Sequence, residues 1–185
     1  MRIISGYLKG KKIDLPKDDL TRPLKDMVKE SIFNVLEHSK EINFRVKNSL
    51  VLDLFSGSGS FGLECLSRGA KQITFVEKDR KIAEILYENL SNFNVLDKAE
   101  IKNEKIINFL KEKSKNKFEI IFMDPPFAEI SYLQELKMIK EKKFYKKKHI
   151  VIIHRESTSN DAYKEYLNPL IIKKYGRSKI IIGRF

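Results

Sequence analysis

The chain has 185 residues, of which 42% are hydrophobic and 34% are charged, and its formal net charge is +12. This length fits one domain with a sizeable core, and the composition excludes a disordered or fibrous chain. The excess of Lys and Arg is typical of proteins that bind a polyanion, but a codon bias toward A·T-rich sequence also raises Lys. A nucleic-acid partner is therefore one of two explanations for the charge.

Cysteine and histidine usage limits the compartment and the metal chemistry. The single cysteine, Cys65, excludes an internal disulfide framework. The amino terminus lacks the apolar stretch of a signal peptide, and no run approaches the roughly 18 apolar residues of a membrane span. His38, His149 and His154 are scattered and lack the spacing of metal ligands. These features predict a cytoplasmic protein without a membrane segment or a metal.

The amino-terminal part predicts an extension that precedes the main fold. Short β-like runs at 2–8 and 11–15 predict a hairpin around Lys9-Gly10. Its polar positions are basic, and they are Arg2, Lys9, Lys11 and Lys12. Apolar residues at helical spacing then predict a helix from Thr21 to about Ser39.

From Leu50 onward, short apolar strands alternate with amphipathic helices, which is typical of a parallel α/β sheet. Five strands are predicted, at 50–55, 72–77, 100–103, 118–124 and 149–154. Helices are predicted at 61–69, 80–92, 104–114, 130–142 and 160–167. Two last strands, at 170–174 and 179–182, flank a turn at Tyr175-Gly176-Arg177. This final hairpin favours a methyltransferase-like sheet over a six-stranded parallel dinucleotide fold.

A glycine loop follows the first predicted strand of the sheet. Its motif is Gly57-x-Gly59-x-x-Gly62, in which glycine lets the backbone turn tightly and approach a ligand. Glu77, at the end of the next strand, can accept hydrogen bonds from both hydroxyls of a ribose. The two features together predict a nucleotide site, and an ordinary turn with Glu77 as a helix cap is the alternative.

Asp53 distinguishes between two kinds of nucleotide. A nicotinamide cofactor carries a pyrophosphate, which a carboxylate just before the loop would repel. S-adenosylmethionine has no phosphate, and its ammonium can bind Asp53 directly or through water. We therefore expect S-adenosylmethionine, with Phe55 and Phe61 lining its pocket, and NAD is the alternative.

The predicted strand at 118–124 ends in Asp124-Pro125-Pro126-Phe127. The exocyclic amine of a base is a weak nucleophile because its lone pair is delocalised into the ring. Hydrogen bonds to the Asp124 carboxylate and the Pro125 carbonyl would aim that lone pair at a methyl group. The prolines keep both acceptors rigid, and Phe127 can stack on a flipped base. Both motifs follow strands, where open α/β sheets bind ligands, which favours methyl transfer over a rigid strand exit with Phe127 in the core.

These motifs resemble the class I S-adenosylmethionine-dependent amino methyltransferases, whose box has the form [Asn/Asp/Ser]-Pro-Pro-[Tyr/Phe/Trp]. Over nearly its whole length the chain is also similar to the bacterial RsmD-type small-subunit ribosomal RNA guanine-N2 methyltransferases. The residues that carry this second resemblance are Arg2-Ile3-Ile4-Ser5-Gly6, Gly10-Lys11-Lys12, Arg22-Pro23, Lys29-Glu30-x-x-Phe33 and Leu63-Glu64-x-Leu66-Ser67-Arg68-Gly69-Ala70.

The resemblance implies a Rossmann-like α/β fold, with a mixed seven-stranded sheet and helices on both faces. One domain, 1–185, would comprise an RNA-binding extension at 1–48, formed by the hairpin and the helix, and a catalytic core at 49–185. The implied reaction is methylation of N2 of guanine-966 in 16S ribosomal RNA, within an assembled or partly assembled small subunit, with the target base flipped out.

The resemblance also implies residue roles. Catalytic roles fall to Asp124, Pro125, Pro126 and Phe127. Cofactor contacts fall to Asp53, Phe55, Gly57, Gly59, Glu77, Lys78, Glu104, Lys105 and Ile106. RNA contacts fall to Arg2, Lys9, Lys11, Lys12 and Arg22. Lys105 stands where the family commonly has Asp, so adenine recognition is expected from Glu104 or Asn103, together with the Ile106 backbone.

Two other functions are compatible with the same motifs. A DNA adenine-N6 or cytosine-N4 methyltransferase would use the same box, since the box serves any exocyclic amine. The short chain speaks against this, because it has no room for a target-recognition domain. A catalytically inactive RNA-binding assembly factor is the second alternative, and the intact Asp124 and Glu77 argue against it.

Overall fold

The computed structural model describes residues 1–16, 24–112 and 116–185. Its strands are β1 (Leu50–Leu54), β2 (Gln72–Val76), β3 (Ala99–Lys102), β4 (Phe118–Met123), β5 (Tyr145–Glu156), β6 (Asn168–Tyr175) and β7 (Ser178–Arg184). They form a seven-stranded sheet in the order β3-β2-β1-β4-β5-β7-β6. Strands β1 to β5 are parallel, while β7 is antiparallel to both β5 and β6. The predicted mixed sheet is confirmed.

Helices cover both faces of the sheet, as predicted. They are α1 (Asp26–His38), α2 (Ser60–Ser67), α3 (Arg80–Asn92), α4 (Ile106–Lys111) and α5 (Tyr132–Lys142). Successive strand residues point to opposite faces, so Val51 packs under α1 to α3 and Leu52 packs under α4 and α5. Across residues 1–16, 24–112 and 116–185, no helix is long and apolar enough to cross a membrane.

The helix predicted at 160–167 is wrong, because the structure has only a 3₁₀ turn at Tyr163–Glu165. Tyr163 and Leu167 are buried at the helical spacing that suggested the helix. However, the Asp161 side chain accepts hydrogen bonds from Arg155 and Tyr132. Pro169 follows within β6 and disfavours helical backbone at the residue before it. Tertiary contacts therefore replace the helix.

The amino-terminal hairpin is present but shorter than predicted, since its strands pair at a bridge between Arg2 and Lys12 that is flanked by two backbone hydrogen bonds of 2.9 Å. The backbone amides of Ile4 and Ser5 donate instead to the Glu64 carboxylate on α2, at 2.8 and 3.0 Å. Gly6 has φ +82°, and a Cβ there would lie 1.8 Å from the Ser67 carbonyl oxygen. The segment therefore lies along α2, and only glycine permits its closest approach.

Glu64 and Lys29 form a buried polar junction. The junction gives a structural role to several residues of the family resemblance, namely Arg2, Lys29, Glu64 and Arg68. Both side chains are fully buried, and Lys29 Nζ lies 3.9 Å from Glu64 and donates to the Arg2 carbonyl at 2.8 Å. Arg68 Nε donates to Glu64 at 2.9 Å. Burial lowers the pKa of Lys29, and the charges of Glu64 and Asp26 oppose that shift. The junction fastens the amino-terminal segment to the core.

Helix α1 begins at Asp26, while the start predicted at Thr21 lies outside the described residues. Ile3, Leu8 and Ile13 of the amino-terminal segment share one apolar cluster with α1 and the sheet. That the chain is a single domain stays a prediction, and so does the division of that domain at residue 49.

Candidate active site

The two predicted motifs meet at the carboxyl ends of neighbouring strands. Strand β1 pairs with β2 on one side and β4 on the other, so the exits after Leu54, Val76 and Met123 are adjacent. The Ser56 amide donates to the Val76 carbonyl at 3.2 Å. Asp53 is also close enough to Glu77 and Asp124 for their charges to act on its pKa. The structure therefore brings the glycine loop and Glu77 together with residues 124–127, the Asp124 box.

Two carboxylates hold the glycine loop. Asp53 Oδ2 accepts from the Gly62 amide at 2.9 Å, and Glu77 Oε2 accepts from the Gly57 amide at 2.9 Å. The backbone of Phe55 is in the left-handed region, at φ +58°. This conformation is unfavourable for a bulky residue, so the surrounding hydrogen bonds must stabilise it. Gly59, at φ +87°, also packs closely, since a Cβ there would lie 2.4 Å from Leu86.

The residues around this loop fit the expected cofactor. Asp53 is 1% exposed, and its Oδ1 has no hydrogen-bond partner among the described residues. Burial raises the pKa of Asp53 well above its usual range, and Asp124 and Glu77 add to the rise. A cationic ligand group would satisfy this oxygen and favour its charged form. Beside it, a Cβ on Gly57 would meet open space, which leaves room for a ligand.

Glu77 keeps capacity for further hydrogen bonds. Its Oε1 accepts from the Asp79 amide at 2.9 Å and its Oε2 from Gly57, while each carboxylate oxygen offers two lone pairs. Glu77 is not the helix cap of the alternative interpretation, because Asp79 caps α3 through the amides of Lys81 and Ile82. Glu77 instead links the glycine loop to the end of β2.

The two expected pocket aromatics differ in position. Phe55 is partly buried and packs against the cluster under α4 and α5. Phe61 is 2% exposed, with ring centroids 5.4 Å from Phe33 and 4.0 Å from Phe122. The expectation that Phe61 lines the pocket is wrong, because every residue of α2 is buried and this ring stacks in the core between Phe33 and Phe122.

The remaining predicted cofactor residues lie around the same edge of the sheet. Asn103 Nδ2 donates to the Glu77 carbonyl at 2.8 Å and so ties the exit of β3 to that of β2. Just beyond it, Glu104 is partly buried, Lys105 is exposed and Ile106 is buried. Lys78 Nζ lies 3.7 Å from Glu129, which follows the box. The cofactor roles of these residues stay predictions.

Within the box, Asp124 is held by a residue that the sequence prediction passed over. His154 Nδ1 lies 2.8 Å from Asp124 Oδ1, and Nδ1 donates to this oxygen in the tautomer that carries its proton there. The Phe127 ring is partly exposed and meets His154 edge-on, with centroids 5.4 Å apart. His154 lies at the end of β5, which pairs with β4, so strand adjacency is the signal that could have identified it.

Arg155 was also missed, although its guanidinium is buried beneath the box. Nη1 donates to the carbonyl of Pro126 at 3.0 Å and to that of Pro125 at 3.5 Å. Nη2 donates to the carbonyl of Phe127 at 3.0 Å. The box thus rests on a cation supplied by the neighbouring strand.

The predicted RNA-contacting residues that the structure describes are exposed, but they do not lie at one place. Arg2 lies beside the start of α2, because Lys29 donates to the Arg2 carbonyl and also to Ser60 Oγ. The turn that includes Lys9 contacts Ser67 at the other end of α2, roughly 10 Å away at 1.5 Å per helical residue. Lys11 Nζ lies 5.2 Å from the centroid of Phe93. Lys12 lies opposite Arg2 in the backbone bridge of the hairpin. Arg22 lies outside the described residues.

Glu135 on α5 should make stability depend on pH. Burial raises its pKa to about 7, Glu129 adds to the rise and Lys78 opposes it. The unfolded chain ionises this group at lower pH, so stability is lost as pH rises toward 7. Glu135→Gln should therefore gain about 1–3 kcal/mol at pH 8 and nothing at pH 4. Urea unfolding of both proteins at each pH measures this, and an equal difference at both would contradict it.

The sheet and the site together define the class of protein. An antiparallel β7 between β5 and β6 distinguishes this sheet from the parallel dinucleotide folds, and both motifs follow its parallel strands. The chain has the class I methyltransferase fold. Among residues 1–16, 24–112 and 116–185, no three His, Cys, Asp or Glu side chains are grouped as metal ligands would be.

Comparison with known proteins gives the family. The family model described as "Conserved hypothetical protein 95" matches residues 1–184. The ribosomal RNA small subunit methyltransferase D of Haemophilus influenzae is 34% identical over 158 residues, which are 84% of this chain and 79% of that protein. The protein of the same name from Escherichia coli K12 is 36% identical over 127 residues, covering 69% and 60%. The chain belongs to this family, the RsmD family that its sequence resembles.

Solved structures agree with this assignment. The structure of yhhF from Escherichia coli matches with a TM-score of 0.82 and 28% identity, over 100% of this chain and 97% of that one. HI0767 from Haemophilus influenzae matches with a TM-score of 0.79 and 30% identity, over 98% and 96%. A more distant chain, 13% identical with a TM-score of 0.65 over 80% and 49%, is complexed with SAH.

Proposed function

We propose that this protein uses S-adenosylmethionine to methylate N2 of a guanine in small-subunit ribosomal RNA, the equivalent of guanine-966 in 16S ribosomal RNA. The observation that carries the proposal is the meeting of the Asp124 box with the glycine loop and Glu77. The names of the curated relatives support ribosomal RNA as the substrate.

The cofactor side of the site is formed by Asp53, Gly57 and Glu77. The unpartnered Asp53 Oδ1 would face the cationic amino-acid end, and Glu77 would accept from the ribose hydroxyls. When bound, S-adenosylmethionine supplies a methyl group activated by a sulfonium. Such a methyl group is strongly electrophilic, so the protein needs to orient the nucleophile more than to deprotonate it.

The substrate side orients the amine of a flipped guanine. His154 occupies Asp124 Oδ1, which leaves Oδ2 to accept one N–H, and the Pro125 carbonyl accepts the other. Phe127 would stack on the base. So held, the nitrogen lone pair would attack the methyl group to form the new N–C bond, and the sulfonium would supply the leaving group that keeps the electron pair of its S–C bond. The released proton passes from nitrogen through Asp124 Oδ2 to solvent.

The RNA-binding surface would begin at Arg2, beside the start of α2, and extend over the exposed Lys12. Contacts from these cations to phosphates position RNA without reading its sequence. Because the turn at Lys9 lies at the far end of α2, it would contact RNA that extends beyond the target nucleotide. An assembled or partly assembled 30S particle offers such a broad surface.

Transfer of a tritiated methyl group to defined acceptors tests this proposal. The acceptors are 30S particles from cells lacking this gene, free 16S ribosomal RNA and duplex DNA. We expect label in the ribosomal RNA, recovered as N2-methylguanosine after digestion to nucleosides. N6-methyladenine or N4-methylcytosine from DNA would instead identify a DNA methyltransferase. Absence of transfer despite tight cofactor binding would indicate an inactive assembly factor.

A further inference from the structure

Arg155 is a charged side chain with 0% exposure directly beneath the Asp124 box. A buried guanidinium is costly unless its donors are satisfied, and this one donates to three consecutive carbonyls, those of Pro125, Pro126 and Phe127. Pro125 and Pro126 have no N–H, so their carbonyls are the only backbone groups through which hydrogen bonds can hold them. Arg155 binds these groups.

A second set of contacts fixes the guanidinium from the other side. Arg155 Nε donates to Asp161 Oδ2 at 2.7 Å, and the Tyr132 hydroxyl donates to the same oxygen at 2.9 Å. The guanidinium carbon also lies 4.6 Å from the centroid of the Tyr132 ring. Burial alone would raise the pKa of Asp161, but the bonds from Arg155 and Tyr132 lower it overall. Asp161 is therefore a charged anchor for Arg155.

We propose that Arg155, oriented by Asp161 and Tyr132, is the positioning residue that holds the Pro125 carbonyl and Phe127 in the geometry that accepts the target base. The proposal rests on the proposed function, since it concerns the same site. The planar guanidinium can span several acceptors at fixed angles, which a Lys ammonium cannot do. A carbonyl has two lone pairs, so Pro125 can accept from Arg155 and from the substrate amine together.

A fluorescent reporter tests the positioning without any methyl transfer. The chain contains no Trp, so Phe127→Trp places a single indole on the loop. In that background, Arg155→Lys should increase acrylamide quenching and decrease steady-state anisotropy. Arg184→Met is the matched control, because it removes a guanidinium that donates to the Ile42 carbonyl from the far end of β7. If Arg155→Lys and Arg184→Met give the same reporter signal, the proposal is overturned.

Kinetics in the otherwise unchanged protein test the consequence. Arg155→Lys should lower kcat about 10- to 100-fold, as expected for a misplaced reacting group, with KM and cofactor Kd within about threefold. Tyr132→Phe, which removes one bond to Asp161, should lower kcat less than Arg155→Lys does. A lower Tm with unchanged kcat per folded molecule would overturn the proposal and leave Arg155 a purely structural residue. If wild type transfers no methyl group, the proposed function fails while the reporter still tests the loop.

Discussion

Replacement of Asp124 by Ala is expected to lower kcat about 10²- to 10³-fold, the size seen when one oriented polar group is removed from a reaction centre. The variant loses the carboxylate that would align the amine. Cofactor Kd should change by less than about threefold, because an interaction made at the transition state lowers kcat without weakening ground-state binding. Single-turnover methyl transfer to 30S particles and isothermal titration with S-adenosylmethionine measure the two quantities.

Asp124→Asn is the matched control for this variant. The amide loses the charge but keeps one oxygen, which accepts from the substrate amine when the amide NH2 faces His154 Nδ1 and the ring carries its proton on Nε2. The variant therefore separates orientation of the amine from removal of its proton. A late proton departure predicts a loss of about 10-fold for Asn, much less than for Ala. Equal losses for Asn and Ala would show that the carboxylate acts as a base. Undiminished transfer by Asp124→Ala would contradict the mechanism entirely.

The sheet could be predicted from the sequence because its signals are local. Buried strands such as Phe118–Met123 are continuous apolar runs, and α3 has both an apolar stripe and a capping Asp79. The path of residues 4–8, between the paired strands of the hairpin, could not be predicted in this way. Backbone amides of this segment donate to the side chains of Glu64 and Ser67 on α2, which are remote in sequence. The alternation of apolar and polar residues does not indicate that these amides bond to a helix rather than to a strand.

The residues of the candidate site also differ in whether a local sequence signal identifies them. Asp53, Glu77 and the Asp124 box are found in the sequence because each lies in a recognisable strand or directly after one. The residues that hold the box could not be found in this way, because they come from β5 and the loop after it. His154 and Arg155 lie next to the box only through the pairing of β5 with β4. A histidine and an arginine at a strand end carry no signal until the neighbouring strand is known.

Glu77→Ala should raise the Kd for S-adenosylmethionine about 100-fold or more, since hydrogen bonds to a charged group contribute roughly 1.5–3 kcal/mol each and two would be lost. The same substitution frees the Gly57 amide, which Glu77 Oε2 holds at 2.9 Å, so the glycine loop can also shift. A weaker Kd alone therefore does not separate lost ribose contacts from a disturbed loop.

Changing the ligand as well as the protein separates the two effects. S-adenosylhomocysteine and its 2′,3′-dideoxy analogue differ only in the hydroxyls that Glu77 would bind. Wild type should prefer the hydroxylated ligand by about 100-fold, whereas Glu77→Ala should bind the two almost equally, because the coupling energy vanishes when either partner is absent. If the variant kept the wild-type preference, another group would bind the ribose, and Glu77 would serve only to hold Gly57 and the end of β2.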